Sequence, residues 1–250
     1  MRRSGTILPF CFALLFFQAS FPPSFHGTER ASAQTSGAST DEYRQERSRM
    51  VNEQLRARGI ANTSVLKAME MVPRHEFVPA PIRNLAYADR PLPIGFDQTI
   101  SQPLIVAYMT EAAEISGNEK VLEIGTGTGY QAAILGEVAK EVYSIEIIPE
   151  LAENARRVLK KLGCNNVFVK AGNGFLGWPE HAPFDAIVVT AAPDEIPKTL
   201  VDQLAVNGKM VIPVGTAFQQ MVIVTKTREG VTEKRTIPVR FVPMVGKPSK

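Results

Sequence analysis

Three glycines alternate with other residues behind a single glutamate, at Gly125, Gly127 and Gly129 after Glu123. Because glycine has no Cβ, this spacing permits a tight turn whose backbone N–H groups can approach a ligand closely. The preceding residues 120–124 form a short, branched and mostly apolar run, which is typical of a buried strand in a parallel sheet. The glycines alone also fit a structural turn in any α/β domain, so a ligand needs further support.

A second acidic residue provides that support. Glu146 ends the next apolar run, residues 142–146, about twenty positions beyond the first glycine, where α/β nucleotide sites place a carboxylate against ribose hydroxyls. A solvent-exposed strand end is the alternative interpretation. The glycine turn and the acid at this separation together favour a nucleotide-type ligand.

The spacing of the glycines distinguishes between nucleotides. A dinucleotide fingerprint is G-x-G-x-x-G, whereas the glycines here alternate behind Glu123. A carboxylate at that position repels a pyrophosphate and attracts an ammonium group. Glu-x-Gly-x-Gly-x-Gly therefore resembles the first motif of S-adenosylmethionine-dependent methyltransferases, whose ligand carries an α-amino group and no phosphate. We predict S-adenosyl-L-methionine as the ligand.

The elements around this turn predict one large α/β domain, for which 250 residues and 44% apolar content are sufficient. The expected helices are 41–58, a short one after Asn62, one starting at Pro103, 151–162 and 196–204. The expected strands are 120–124, 142–146, 167–169, 187–190, 210–214, 221–227 and 235–242. The last two strands are joined by a short turn at Gly230, which forces antiparallel pairing at the end of an otherwise parallel sheet.

The expected domain organisation is a leader and linker at residues 1–40, followed by a methyltransferase domain at 41–250. Residues 41–116 form an N-terminal helical and loop extension of that domain. Residues 1–33 resemble a targeting segment: two arginines, an apolar stretch at 7–17 and small residues ending at Ala33. The apolar stretch is too short to predict a membrane span. A disordered extension and a misassigned start codon are the alternatives to an export signal.

The charge of the chain argues against a nucleic-acid partner. The formal net charge is +3, and three arginines against one glutamate in residues 1–40 contribute +2 of it. Only +1 is left for the rest of the chain. A domain so close to neutral lacks the basic footprint of a nucleic-acid-binding protein.

The chain has few residues of the kind that bind metals or form disulfides. His26, His75 and His181 each lack a second histidine, cysteine or carboxylate at metal-ligand spacing, so no metal site is predicted. Removal of the leader would leave Cys164 as the only thiol, which excludes an internal disulfide. We interpret this cysteine as a small apolar residue after a helix.

Ser101 lies in the segment Gln-Thr-Ile-Ser-Gln-Pro, residues 98–103. Pro103 suits the first turn of a helix. On spacing alone, Ser101 is most simply a hydroxyl that caps this helix. A functional interpretation of Ser101 depends on the resemblance described next.

Four segments in this order resemble the protein-L-isoaspartate O-methyltransferase family. They are residues 98–103, 121–130, 184–193 and 240–243, and the resemblance extends from about residue 41 to 245. It implies a Rossmann-like fold and a methyl transfer from S-adenosylmethionine to the carboxylate of an L-isoaspartyl or D-aspartyl residue in a damaged protein. The methyl ester then closes to a succinimide, whose hydrolysis restores some normal aspartate.

The resemblance also implies a role for each matching residue. Ser101 would lie in the active site, where its hydroxyl holds or orients the substrate carboxylate. The implied donor-binding residues are Ile94, Gly95, Phe96 and Asp97 in a loop over the donor, Glu123 at the methionine ammonium, Gly125 and Gly127 in the turn, Glu146 at the ribose, and Asn173 and Gly174 near the adenine.

One of these positions departs from the family pattern. The family usually has Gly-Asp-Gly near the adenine, whereas this chain has Gly-Asn-Gly at residues 172–174. Asn173 keeps a carbonyl acceptor for the adenine amino group but lacks the negative charge. The resemblance therefore implies an altered affinity for adenine at this position.

The implied reaction needs no general base. An aspartyl-type carboxyl, with a reference pKa of about 3.9, is already ionised at neutral pH. The methyl group on a sulfonium is already electrophilic, so the main task is to hold oxygen, methyl and sulfur in line. The lack of a histidine-centred motif is therefore compatible with an enzyme.

Two other classes of function remain open at this point. A nucleic-acid amino-methyltransferase would carry an Asn/Asp-Pro-Pro-aromatic motif after the fourth strand, and residues 190–193, Thr-Ala-Ala-Pro, do not supply it. A module that binds the donor without transferring the methyl group would fit if Ser101 were only a cap.

The location and assembly of the chain are expectations from the resemblance and from donor supply. Because the donor is made inside the cell, we expect a cytoplasmic monomer without a stable membrane anchor, whose partners are proteins and peptides with isoaspartyl or D-aspartyl residues. Export through residues 1–33 is the alternative.

Overall fold

A mixed seven-stranded sheet is the centre of the computed structural model, which describes residues 40–246. The first two strands, β1 Leu92–Gly95 and β2 Gln98–Ile100, form a separate hairpin. The strands of the large sheet are β3 Lys120–Ile124, β4 Glu141–Glu146, β5 Val167–Ala171, β6 Phe184–Val189, β7 Leu204–Val214, β8 Gln219–Lys226 and β9 Val231–Val239. They lie side by side in the order β5-β4-β3-β6-β7-β8-β9.

The pairing directions confirm the predicted sheet. Strands β5, β4, β3, β6 and β7 are parallel, and β8 is antiparallel to both β7 and β9. A parallel pair needs a long crossover, whereas the short links around β8 permit only antiparallel neighbours. The result is a parallel α/β sheet with an antiparallel C-terminal region.

Apolar side chains cover both faces of this sheet because successive strand residues point to opposite sides. The helices that flank the sheet are α1 Thr40–Arg49, α2 Thr63–Met71, α3 Pro103–Ala112, α4 Tyr130–Val138, α5 Pro149–Lys161 and α6 Lys198–Gln203. On one face, Val121 packs in a buried cluster with side chains of α1 to α5. On the other face, Leu122 packs in a second cluster that includes Leu200 of α6.

The predicted N-terminal helices are present. Helix α1 continues through a π-helical turn at Met50–Leu55 and a 3-10 turn at Arg56–Arg58. Gly59 ends this run with a left-handed φ of 97°. The side chain of Asn62 caps α2, as its position before the apolar run predicts.

The hairpin β1–β2 is a finding that the sequence did not predict. Its two turn residues, Phe96 and Asp97, both have a φ of 55°. Two-residue hairpin turns with positive φ values are usually formed by Asn and Gly, so this pair gives no recognisable signal. The hairpin places residues 94–99 beside the carboxyl end of β3.

The structure contradicts the capping interpretation of Ser101. Helix α3 begins at Pro103, and its N-cap is Gln102, whose side chain makes no capping hydrogen bond. The residue next to the first helical position is the one that can cap, so Ser101 lies one position too early.

Residues 1–33, for which the sequence predicts a leader, lie outside the described residues, and the division at residue 40 stays a prediction. Within residues 40–246, no helix combines the length and apolar character that a membrane crossing requires.

Candidate active site

The carboxyl ends of β3 and β6 form a crevice where the order of strands reverses. From β3 the chain proceeds to β4 and β5 on one side, and β6 then pairs with the other side of β3. Ligands of open α/β sheets bind at such a switch point. A cavity lies here, which we call the glycine-turn cavity. Its lining residues are Gln98, Thr99, Ile124, Gly125, Gly127, Ile145, Glu146, Ile147, Gly174, Thr190, Ala191, Val242, Pro243, Met244 and Val245.

The glycine turn itself has the conformation that its spacing predicts. Gly125, Gly127 and Gly129 have φ values of 96°, 54° and 90°. The N–H of Gly125 donates to the carbonyl of Ile145 at 2.8 Å, which joins the turn to the end of β4. Left-handed φ values at three alternating positions favour glycine over any residue with a Cβ.

Thr190 holds the turn from the opposite side, at the end of β6. Its hydroxyl lies 2.6 Å from the carbonyl oxygen of Gly125 and 3.0 Å from that of Ile124. A Cβ built on Gly125 would lie only 2.4 Å from this hydroxyl oxygen. Gly125 is therefore required both for its φ and for the approach of Thr190.

Glu146 lines the cavity and is held by two backbone donors. The N–H of Gly127 donates to its Oε2 at 2.8 Å, and the N–H of Ile148 donates to its Oε1 at 3.0 Å. The residue is 5% exposed, so the interpretation as a solvent-exposed strand end is wrong. Each carboxylate oxygen retains a free lone pair with which it can accept from a ligand hydroxyl.

Glu123 lies beneath the turn and does not line the cavity. It is fully buried, and the hydroxyl of Ser144 donates to its Oε2. Its Oε1 has no hydrogen-bond partner among the described residues. Burial raises the pKa of the Glu123 carboxyl to about 8, the bond from Ser144 opposes this shift, and the charge of Glu146 adds to it. The carboxyl is therefore mostly protonated at neutral pH.

Asn173 and Gly174 follow β5 and differ in their relation to the cavity. Gly174 lines it, and a Cβ there would lie 2.4 Å from Cγ2 of Ile124. The side-chain carbonyl of Asn173 accepts from the N–H of Phe175 at 3.0 Å and caps a 3-10 turn. The side chain of Asn173 is not among those that line the cavity of residues 40–246.

None of the four residues of the predicted donor loop, residues 94–97, is among those that line the cavity in the described part of the chain. Cδ1 of Ile94 is 3.6 Å from the position of a Cβ on Gly127. Gly95, Phe96 and Asp97 form the exposed tip, where Phe96 is 54% exposed. The hairpin residues that line the cavity are Gln98 and Thr99, to which the sequence assigned no role.

Ser101 lies in a second cavity, which we call the Ser101 cavity. Thr99, Thr190 and Val242 line both this cavity and the glycine-turn cavity. The two spaces therefore adjoin each other at these three residues. The other residues that line the Ser101 cavity are Pro91, Gln102, Ile105, Pro238, Val239, Arg240 and Phe241.

The segment after β9 completes the wall of the glycine-turn cavity. The N–H of Ala192 donates to the carbonyl of Val242 at 2.9 Å, and the N–H of Met244 donates to the carbonyl of Ala192 at 2.7 Å. The last strand was predicted to extend to residue 242, whereas β9 ends at Val239, and no site role was predicted for residues 243–245. Only the Arg-Phe-Val-Pro motif at 240–243 gave a signal for this wall.

Within residues 40–246, no group of three His, Cys, Asp or Glu side chains is placed to hold a metal ion.

Substitution of Gly125 by alanine tests the closed geometry of the turn. Gly117 provides a matched control, because its φ is also positive, at 114°, but nothing lies within 4 Å of a Cβ there. We expect Gly117→Ala to cost about 1–2 kcal/mol of stability from its φ alone, and Gly125→Ala to cost clearly more. Urea unfolding measures the free energy of unfolding of both variants. In the double variant Gly125→Ala/Thr190→Ala, the part of the stability loss that comes from the steric clash should be recovered. Equal stability losses in Gly117→Ala and Gly125→Ala would contradict the close approach of Thr190 to Gly125.

The raised pKa of Glu123 predicts a pH dependence of stability. The unfolded carboxyl releases its proton near 4.5 and the folded one near 8. Between these values the native state holds more protons, so rising pH lowers the free energy of unfolding, by at most about 1.4 kcal/mol per pH unit. Glu123→Gln should lack this pH-dependent decrease, so its stability relative to the wild type should rise from pH 5 to 8. Urea unfolding at several pH values in this range measures the free energy of unfolding, with the exposed Glu137→Gln as the control. Parallel pH dependences of Glu123→Gln and the wild type would contradict the raised pKa of Glu123.

Comparisons with known proteins agree on one family. The family model described as Protein-L-isoaspartate(D-aspartate) O-methyltransferase matches residues 45–249. A protein-L-isoaspartate O-methyltransferase of Gloeobacter violaceus is 61% identical over 197 residues, which are 78% of this chain and 96% of the relative. One of a Picosynechococcus species is 56% identical over 200 residues, or 80% and 90% of the two chains.

Solved structures agree with these relatives. A protein-L-isoaspartate O-methyltransferase aligns with a TM-score of 0.73 and 30% identity, over 80% of this chain and 66% of the solved chain. A second structure, described as such an enzyme from Plasmodium falciparum in complex with S-adenosyl-L-homocysteine, has a TM-score of 0.70 and 25% identity over 80% and 98% of the two chains. The chain belongs to the protein-L-isoaspartate(D-aspartate) O-methyltransferase family.

Proposed function

We propose that this chain moves a methyl group from S-adenosylmethionine in the glycine-turn cavity to an isoaspartyl carboxylate in the Ser101 cavity. The observation that carries the proposal is the adjacency of the two cavities, whose shared wall is Thr99, Thr190 and Val242. Methyl transfer between two bound molecules needs their reacting atoms in contact, and adjoining cavities lined by the same residues can hold the two molecules side by side. Family membership supports the reaction type.

Glu146 is the residue that we assign to the ribose of the donor. Its two oxygens are fixed by Gly127 and Ile148 and face the cavity, so ribose hydroxyls can donate to them without rearrangement. The backbone of Gly125 and Gly127 lines the same space and can approach the donor closely.

Glu123 is assigned to the methionine ammonium, one layer below the cavity surface. The partnerless Oε1 supports this assignment, because a buried oxygen without a donor gains most from a cationic N–H group. Approach of an ammonium favours the ionised carboxylate. We therefore expect donor binding to release a proton from Glu123 near neutral pH.

The adenine is assigned to the end of β5. Gly174 lines the cavity there, and its lack of a Cβ allows close contact with Ile124. Asn173 is proposed to contribute through a carbonyl oxygen that also caps the following turn. The tip of the hairpin, Gly95 to Asp97, is proposed to lie over the donor, with Ile94 against Gly127.

Ser101 is assigned to the substrate carboxylate. One carboxylate oxygen forms a bond to the methyl carbon as the bond between methyl and sulfur breaks, and the electron pair of that bond stays on sulfur. The products are a methyl ester and neutral S-adenosylhomocysteine, and no proton is transferred. The hydroxyl of Ser101 can donate to the other oxygen and orient the attacking one.

The partners follow from the reaction. We propose that the chain acts on proteins and peptides with L-isoaspartyl or D-aspartyl residues, as a monomer, in the cytoplasm where the donor is made. Export through residues 1–33 is the alternative location. A mature chain beginning at residue 34 outside the inner membrane would support export instead.

Transfer of labelled methyl groups tests the proposal directly. The wild-type protein, S-adenosylmethionine and an isoaspartyl peptide should give a base-labile methyl ester, whereas the matching aspartyl peptide should give none. Label in nucleic acid would indicate an amino-methyltransferase. Donor binding without any transfer would indicate a binding module.

Ser101→Ala tests the acceptor assignment. We expect a fall in kcat on the isoaspartyl peptide of tenfold or more, about 1.4 kcal/mol of transition-state stabilisation, with donor Kd and Tm little changed. Ser64→Ala, an exposed hydroxyl at the start of α2, is the matched control and should retain kcat. A Ser101→Ala variant with wild-type kcat would remove the hydroxyl from the mechanism.

A further inference from the structure

We propose that Arg74 is a positioning residue for methyl transfer, which fixes the acceptor residue Ser101 relative to the donor turn. This inference rests on the proposed role of Ser101. Arg74 lines neither cavity in the described part of the chain, so it acts through its neighbours.

The guanidinium of Arg74 makes two hydrogen bonds to carbonyls from different segments of the chain. Its Nη2 donates to the carbonyl of Ser101 at 2.8 Å, and its Nε donates to the carbonyl of Ala86 at 2.7 Å. Arg74 begins the 3-10 turn Arg74–Phe77 and is fully buried. One rigid planar group therefore joins the segment before the hairpin to the residue after it.

The same guanidinium contacts the helix that follows the glycine turn. Its central carbon lies 4.7 Å from the centroid of the Tyr130 ring. Tyr130 is the residue directly after Gly129 and the first of α4, and its side chain is buried. Arg74 thus touches the element that carries the donor turn and the residue assigned to the acceptor.

Burial of a charged guanidinium at this place costs free energy of folding. Burial lowers the pKa of Arg74 to about 10, so the side chain is still cationic at neutral pH. No carboxylate of residues 40–246 forms an ion pair with it, and its Nη1 has no hydrogen-bond partner among them. A well-packed apolar side chain often stabilises a protein core better than a buried ion. Arginine is distinguished here by donors in a fixed plane that reach two separate carbonyls.

The consequence for catalysis is geometric. When no proton is transferred, the rate depends on the alignment of carboxylate, methyl and sulfur, and a displacement of about 1 Å can cost about 100-fold. Loss of the bond from Arg74 frees the backbone of Ser101 without removing its hydroxyl. The loss should therefore appear in kcat rather than in the binding of either substrate.

Arg74→Lys is the main test, because an ammonium keeps the charge but lacks the donors that the guanidinium holds in a fixed plane. We expect kcat on the isoaspartyl peptide to fall at least tenfold, with the peptide KM and donor Kd within about threefold of wild type. Leu66→Ala, in the buried cluster that contains Tyr130, provides a packing control with a lowered Tm. Assays are run well below the Tm of every variant, and the control should keep its kcat.

A double variant separates positioning from general destabilisation. If Arg74 acts through the hydroxyl of Ser101, then Arg74→Lys in the Ser101→Ala background should lower kcat by less than threefold. If Arg74→Lys does not fold, Arg74→Gln replaces it, because the neutral amide buries no charge and also lacks the planar set of guanidinium donors.

The outcomes are distinguishable from failure of the proposed function. If the wild type does not methylate the isoaspartyl peptide, or if Ser101→Ala keeps its kcat, the proposed function fails. If both of those results are as expected but the Arg74 variant keeps its kcat, or if its losses multiply with those of Ser101→Ala, the inference about Arg74 is overturned.

Discussion

The hydrogen bond from the N–H of Gly127 to the carboxylate of Glu146 connects the ends of two parallel strands at the site. It holds the glycine turn open toward the cavity and turns the carboxylate to face the same space. Thr190 applies a matching constraint from β6. The turn is therefore fixed by both neighbours of β3, through contacts of the chain itself. Such preorganisation lowers the entropic cost of binding.

Beneath this turn, the structure accepts a polar group that an apolar core would ordinarily exclude. Glu123 is fully buried, with Ser144 and Thr126 as its polar neighbours. A buried carboxyl with one oxygen unsatisfied costs free energy in the ligand-free state. A cation close to the same carboxyl would lower this cost. Glu123 would therefore reduce the stability of the protein alone and increase its affinity for a cationic ligand.

Much of the sheet can be predicted from the sequence because buried parallel strands read as short, branched apolar runs. The glycine turn and Glu146 were also predictable, since their spacing reports a backbone conformation and a strand end. The hairpin was not, because Phe96 and Asp97 adopt positive φ values without the usual turn residues. The interpretation of Ser101 as a cap, which rested on spacing alone, was wrong, because the exact start of α3 decides which residue is its N-cap.

The contacts of Arg74 had no sequence signal of their own, and the segment after β9 had only the Arg-Phe-Val-Pro motif at residues 240–243. An arginine in a proline-rich stretch is ordinarily solvent-exposed, and its burial depends on carbonyls from residues that are distant along the chain. Residues 243–245 resemble a tail in sequence, and their place beside β6 comes from pairing of Pro243 with Ala192. Long-range packing decides both features, and local pattern does not encode it.

The position of residues 242–245 has a consequence for synthesis of the protein on the ribosome. This segment follows every strand of the sheet in the chain, yet it forms part of the cavity wall. A nascent chain can therefore pair its parallel strands before the cavity is enclosed. Truncation after β9 would retain every strand of the sheet in the chain and remove residues 242–245 from the cavity wall.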